Sequence, residues 1–217
     1  MAFIQEIDLG ICIRLGIWKV EETPIDFDYL GEIYTSVLQK YRNPKRQLEV
    51  LCTNALLRKM TNNADLRVVH NQAGKPFCVD KQTAKQIEEG TNNSEECSKS
   101  LRISISHTLG WVAIIVSNER DVSVDIEYIS DRVARIAHKF IRHDEPFVQI
   151  KQQLVCWCAK ETVYKYFSEQ DLHFDEMRLH DFVCDDEGEI MIDNLRTGLL
   201  VKAHYIVNND YALTWIC

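Results

Sequence analysis

The chain has 217 residues, 46% hydrophobic and 27% charged, with a net charge of −8. That length suits one large domain or two small ones, and the composition is that of a soluble globular protein with ample material for a core. The acidic balance argues against broad binding to nucleic acid or a membrane surface, which needs a basic patch, but leaves room for a local basic pocket that takes a phosphorylated ligand.

In chain order, 2–7 and 11–18 read as strands around a turn at Gly10. The stretch 26–41 (DFDYLGEIYTSVLQKY) has apolar residues at helical spacing, and Asn43-Pro44 breaks it. Pro44 can start the next helix, 45–60, with Leu48, Leu51, Ala55 and Leu56 as its buried stripe. Short strands follow at 66–70 and 76–79 around NQAGKPF, and 81–100, polar and without periodicity, reads as a mobile loop or a boundary between halves.

The second half opens with strands at 102–107 and 111–117; the latter is continuously apolar and therefore central in its sheet. A third strand covers 121–127, helices cover 131–141 and 147–167, and strands cover 189–193, 198–207 and 211–216. Strands and helices mix without regular alternation, so the fold class is α+β. The helix ends ALLRK (55–59) and TVYKY (162–166), each ahead of strands, hint at two related halves.

Eight cysteines sit at Cys12, Cys52, Cys78, Cys97, Cys156, Cys158, Cys184 and Cys217. The chain is long for a disulfide scaffold and several cysteines lie in apolar runs, so free thiols in a reducing cytoplasm are expected. The opening MAFIQEIDLG lacks the basic start of a signal peptide. No apolar run approaches the roughly 20 residues that span a bilayer.

In DVSVDIEYIS (121–130), Val122, Val124 and Ile126 point to one strand face and Ser123, Asp125 and Glu127 to the other. The two carboxylates, roughly 6.5–7 Å apart at Cα, can lean toward one cation. Either that face lies in water or a positive charge must be supplied. In LVCWCAKETVYKYF (154–167), Lys160-Glu161 interrupts an apolar helix, and Glu161 with Lys165 has the i,i+4 spacing of a helical ion pair. His107 ends a strand before a glycine turn, and Gly74-Lys75-Pro76 presents a lysine on a turn.

Each signal alone also fits ordinary surface chemistry. Their order, G-K-P, S-H-T, D-I-E and W-x-x-K-E, resembles the 4′-phosphopantetheinyl transferase superfamily. The likeness is best over 102–175. It includes DRVARIAHKFIRHDE (131–145), with Phe140 and Glu145 as the family's phenylalanine and acid, and LHF (172–174). The length resembles the two-lobed, pseudo-dimeric Sfp-type branch. That implies two similar α+β lobes, 1–100 and 101–217, with the metal site in the second and the active cleft between them.

The resemblance implies transfer of the phosphopantetheine arm of coenzyme A to a serine of an apo acyl or peptidyl carrier protein, releasing adenosine 3′,5′-bisphosphate. It implies Mg²⁺ held by Asp125, Glu127 and Glu161, and Glu161 as general base. Lys160 would sit near the leaving phosphate and Lys165 would bind phosphate. His107 and Lys75 would grip the coenzyme A phosphates. The family often has glycine where Ser123 stands and arginine where Asn54 stands, so Arg46 or Arg58 would take the missing role. The segment 131–150, with Arg132, Arg135, His138, Lys139 and Phe140, would dock the carrier, and the two-lobed length favours a monomer. Two other readings remain open: a non-catalytic carrier or coenzyme A binding module, and a Mg²⁺-dependent pyrophosphate hydrolase that needs no carrier.

Overall fold

The structure, a computed structural model, describes residues 3–10, 12–20, 26–91 and 101–217. It divides into two compact units, Met1–Arg120 and Asp121–Cys217. The class is mixed α+β, and each unit lays a long helix on an antiparallel sheet.

The first unit carries β1 (Phe3–Asp8), β2 (Ile13–Lys19), β3 (Leu66–His70), β4 (Pro76–Asp80), β5 (Leu101–Thr108) and β6 (Trp111–Ser117), in sheet order β1-β2-β6-β5-β4-β3. As its composition predicts, β6 is central and buried along its whole length. The sequence division at residue 100 moves to Arg120, because β5 pairs with β4 and β6 pairs with both β5 and β2.

The helices of this unit are α1 (Glu32–Lys40), α2 (Pro44–Thr61) and α3 (Lys81–Glu88). The single helix expected over 26–41 is shorter. A 3-10 turn at Asp28–Leu30 ends at Gly31, whose φ of 56° interrupts the helical path before α1 begins. Asn43 caps α2, its side chain accepting from the Lys45 N–H, and Pro44 occupies the first turn, where no donor is lost. Leu51, Ala55, Leu56 and Met60 then meet the sheet. A Cβ on Gly16 of β2 would stand 2.5 Å from Met60 Sδ, so any larger residue there would make the Met60 side chain shift.

The loop expected over 81–100 is corrected in its first part, since 81–88 form α3. Asp80 is the reason: its carboxylate accepts from both the N–H and the hydroxyl of Thr83, a cap that a count of polar residues does not register. Residues 89–91 continue as a turn, and 92–100 lie outside the described residues.

The second unit carries β7 (Ser123–Tyr128), α4 (Arg132–Phe140), α5 (Ile150–Tyr166), β8 (Met177–Leu179), β9 (Glu187–Asn194), β10 (Leu199–Val207) and β11 (Tyr211–Ile216). The sheet order is β7-β11-β10-β9-β8, antiparallel throughout. On β10, Ala203, Tyr205 and Val207 are buried while their neighbours are more exposed, the period-2 pattern of a sheet with one packed face. Val155, Ala159 and Val163 of α5 join these residues in one apolar cluster. On another side of α5, the Thr162 hydroxyl lies 2.5 Å from the Thr214 hydroxyl of β11.

Candidate active site

The β7–β11 register pairs Asp125 with Thr214 and Glu127 with Ala212. Thr214 meets Thr162 of α5, and the Ala212 carbonyl accepts from Cys158 Sγ at 3.6 Å. The carboxylate face of β7 therefore lies against α5 rather than in water, and Asp125 is only 4% exposed. The positive charge that this face requires is present in the chain: Lys165 Nζ lies 2.7 Å from Asp125 Oδ1.

Trp157, Glu161 and Lys165 stand four residues apart, so they share one stripe of α5. Each addresses the β7 carboxylates. The Trp157 indole N–H donates to Glu127 Oε1 at 3.0 Å. Burial, and then the Asp125 and Glu127 charges, push the Glu161 carboxyl up to about 7 against the pull of Lys165. Glu161 also lines a hollow of about 260 Å³ with Tyr164, Leu172, His173 and Phe174.

Among the described residues, no group of three or more His, Cys, Asp or Glu side chains is closed up into a metal centre. The Asp125, Glu127 and Glu161 carboxylates, whose charges act on one another, nevertheless offer the hard oxygen donors that suit Mg²⁺. The donor chemistry fits the ion. Ser123, where the family often has glycine, is fully buried on the same face, and its hydroxyl has no hydrogen-bond partner among the described residues.

Lys160 is placed elsewhere than expected. One residue from Glu161 is about 100° around the helix, and that side of α5 faces the core. The Lys160 side chain is 0% exposed, and its ammonium donates to Phe140 O, Glu145 Oε2 and Phe174 O at 2.6, 2.9 and 3.3 Å. Burial lowers the Lys160 pKa while Glu145 resists. With its three protons committed inside the unit, it does not present an ammonium to a phosphate.

The basic residues expected to grip coenzyme A lie in the first unit. Arg46 of α2 and His107 of β5, far apart in sequence, are brought together, the guanidinium donating to the imidazole Nε2. Glu49 holds Arg46 at 3.2 Å and lies 3.9 Å from His107. Of the two substitutes considered for the arginine absent at Asn54, Arg58 is engaged by Tyr29, bonding its carbonyl at 2.5 Å and lying over its ring. Asn54 donates to Val50 O within its own helix. Lys75 follows Gly74, whose φ of 80° lets the turn close, and the Lys75 N–H donates to Asn71 Oδ1.

Within the expected docking segment, Arg132, Arg135, His138 and Lys139 are exposed, but Phe140 is a core residue at 1% exposure. Phe140 therefore leaves that list, because α4 turns it toward Trp157. Sequence reading missed the Trp157–Glu127 bond and the Lys160–Glu145 pair. The i,i+4 spacing of Trp157 to Glu161 was the available signal for the first. No disulfide joins any of the seven cysteines among the described residues. Burial pushes Cys52 and Cys78 up to about 12, which makes them poor nucleophiles.

A carboxylate strand facing a helix that carries a carboxyl and an ammonium is an arrangement that phosphoryl chemistry can use. Residues 121–216 match the family model of the 4′-phosphopantetheinyl transferase superfamily. The second unit is similar to that superfamily, and its start at Asp121 coincides with the start of the match. The family chemistry is phosphopantetheinyl transfer. A search of curated proteins returned no match. No helix among the described residues is long and apolar enough to cross a membrane.

Proposed function

We propose that the protein transfers the 4′-phosphopantetheine arm of coenzyme A to a serine of an apo acyl or peptidyl carrier protein. The acceptor serine oxygen bonds to the phosphorus that bears the pantetheine arm. The pyrophosphate bridge breaks, and adenosine 3′,5′-bisphosphate leaves. The observation that carries this reading is Asp125 and Glu127 of β7 set against Glu161 and Lys165 of α5, inside the matched stretch.

Asp125, Glu127 and Glu161 would hold Mg²⁺, which supplies charge neutralisation at the pyrophosphate. Glu161 takes the serine proton, directly or through one water. The carboxyl is raised to about 7 without metal, and Mg²⁺ on it would lower that value, so the ion and the proton compete for Glu161. Lys165 has 28% of its side chain exposed, so its ammonium can exchange Asp125 for a phosphate oxygen. Arg46, His107 and Lys75 bind the coenzyme A phosphates, and Arg132, Arg135, His138 and Lys139 meet an acidic carrier. A coenzyme A-dependent reaction and the absence of disulfides among the described residues suit a cytoplasmic protein, and the two-lobed length suits a monomer.

Mass spectrometry of candidate apo carriers incubated with coenzyme A, Mg²⁺ and the protein tests this. A serine-linked phosphopantetheine adduct, lost in Asp125→Ala and Glu161→Ala, is the expected result. Full activity in both variants would overturn the residue assignments. Free phosphopantetheine released without a carrier would indicate a hydrolase. Coenzyme A binding without turnover on any carrier would indicate a binding module.

A further inference from the structure

Lys160 and Trp157, three residues apart and therefore neighbours on α5, act on the same two residues. The Lys160 ammonium holds the carbonyl of Phe140, at the end of α4, and that of Phe174, in the turn before β8. The rings of those two residues enclose Trp157, Phe140 edge-on at 5.1 Å and Phe174 tilted at 5.2 Å. Held in this way, the indole directs its N–H at Glu127 Oε1, 3.0 Å away. Phe174 also lines the hollow beside Glu161. Glu145 completes the frame: Oε2 accepts from Lys160 and from the Arg142 N–H, and Oε1 accepts from the Leu179 N–H at 2.8 Å. The buried pair thus ties the end of α4, α5, the turn before β8 and the last residue of β8 to one point.

We propose that Trp157 and Lys160 are positioning residues for the carboxylate site: Lys160 fixes the Phe140 and Phe174 backbones, their rings fix the indole, and the indole N–H aims the Glu127 carboxylate. This rests on the reading of Glu127 as a Mg²⁺ ligand. A ligand whose orientation is set beforehand loses less freedom on binding the ion, so removing the partner that orients it weakens the site without removing a ligand.

The variant Trp157→Phe keeps an aromatic ring between Phe140 and Phe174 and deletes only the N–H. The full chain is titrated with Mg²⁺ in the presence of coenzyme A, and the rise in melting temperature is followed. Trp157→Phe is expected to melt close to wild type without Mg²⁺ and to need about tenfold more Mg²⁺ for its half-maximal rise, the size typical of losing a bond to a metal ligand. Lys160→Met is expected to raise the Mg²⁺ midpoint as well; should it fail to fold, Trp157→Phe decides alone. A Mg²⁺ midpoint unchanged in Trp157→Phe while wild type responds overturns this inference and leaves the transferase reading standing. A wild type that gives no response to Mg²⁺ overturns both.

Discussion

Lys165 Nζ donates to Asp125 Oδ1 at 2.7 Å and to the Val124 carbonyl at 3.1 Å, tying the last turn of α5 to the start of β7. The Asp125 side chain is 6% exposed, so in the absence of a metal this ammonium is the charge that makes its burial tolerable. Lys165→Met is expected to destabilise the protein in EDTA by about 1–3 kcal/mol, less than a fully buried pair would lose, because Lys165 retains some water. Chemical denaturation measures this. Saturating Mg²⁺ is expected to recover part of the loss, since a cation shared by the carboxylates replaces the missing charge. Equal stability of variant and wild type in EDTA would mean that Asp125 does not depend on Lys165.

Lys160 and Glu145 are both 0% exposed at their side chains, and each is fully hydrogen-bonded. Truncating one strands the other's charge. Lys160→Ala is expected to cost about 3–5 kcal/mol of stability. Replacing both partners, Lys160→Met with Glu145→Leu, is expected to recover much of that loss, because no buried charge then remains. A phosphate-binding lysine would behave in the opposite way, leaving stability intact and weakening coenzyme A binding. Denaturation midpoints set beside coenzyme A affinities separate the two roles.

The contrast between these lysines marks how far the sequence is legible. Asp125, Glu127, Glu161 and Lys165 could be found because strand period and helix period put them on identifiable faces, and because their order along the chain resembles a known family. Lys160 sits in the same short motif, and nothing in its spacing says that it turns inward. That depends on where α4 ends and on the Phe174 carbonyl, both set by packing. The strands and the two long helices were legible from apolar pattern and breakers such as Asn43-Pro44. Helix α3 was not, because one capping contact from Asp80 outweighs a polar composition. The boundary between units was not legible either, since pairing of β5 and β6 with earlier strands is a long-range choice.

Arg46 and His107 touch each other and share Glu49, so their contributions to binding an anion are not independent. Arg46→Ala and His107→Ala are each expected to weaken coenzyme A binding by about tenfold, the size of one charge-assisted hydrogen bond. The double variant is expected to lose less than the product of the two, because whichever residue goes first also removes support from the other. Calorimetric titration with coenzyme A and with its 3′-dephospho form provides the check. Strictly multiplicative losses, or losses unchanged by omitting the 3′-phosphate, would separate this pair from that phosphate.

The Glu161 carboxyl, raised from 4.5 to about 7 chiefly by burial and then by Asp125, gives the metal-free protein a pH dependence of definite sign. The folded state keeps this proton to higher pH than the unfolded chain does. Its stabilising contribution is complete below pH 4.5 and is lost as pH rises through 7. Glu161→Gln is uncharged at every pH and escapes that loss. In EDTA the variant and wild type are expected to be close in stability at pH 5. At pH 8 the variant is expected to be the more stable by about 1–2 kcal/mol, a figure reduced from the full shift because Glu161 is only partly buried. Mg²⁺ should abolish the difference or reverse it, since a cation on the ionised carboxylate removes the cost of the charge. Parallel stability curves for the two proteins in EDTA from pH 5 to pH 8 would show that Glu161 ionises as an ordinary surface acid and is not poised to take a proton near neutrality.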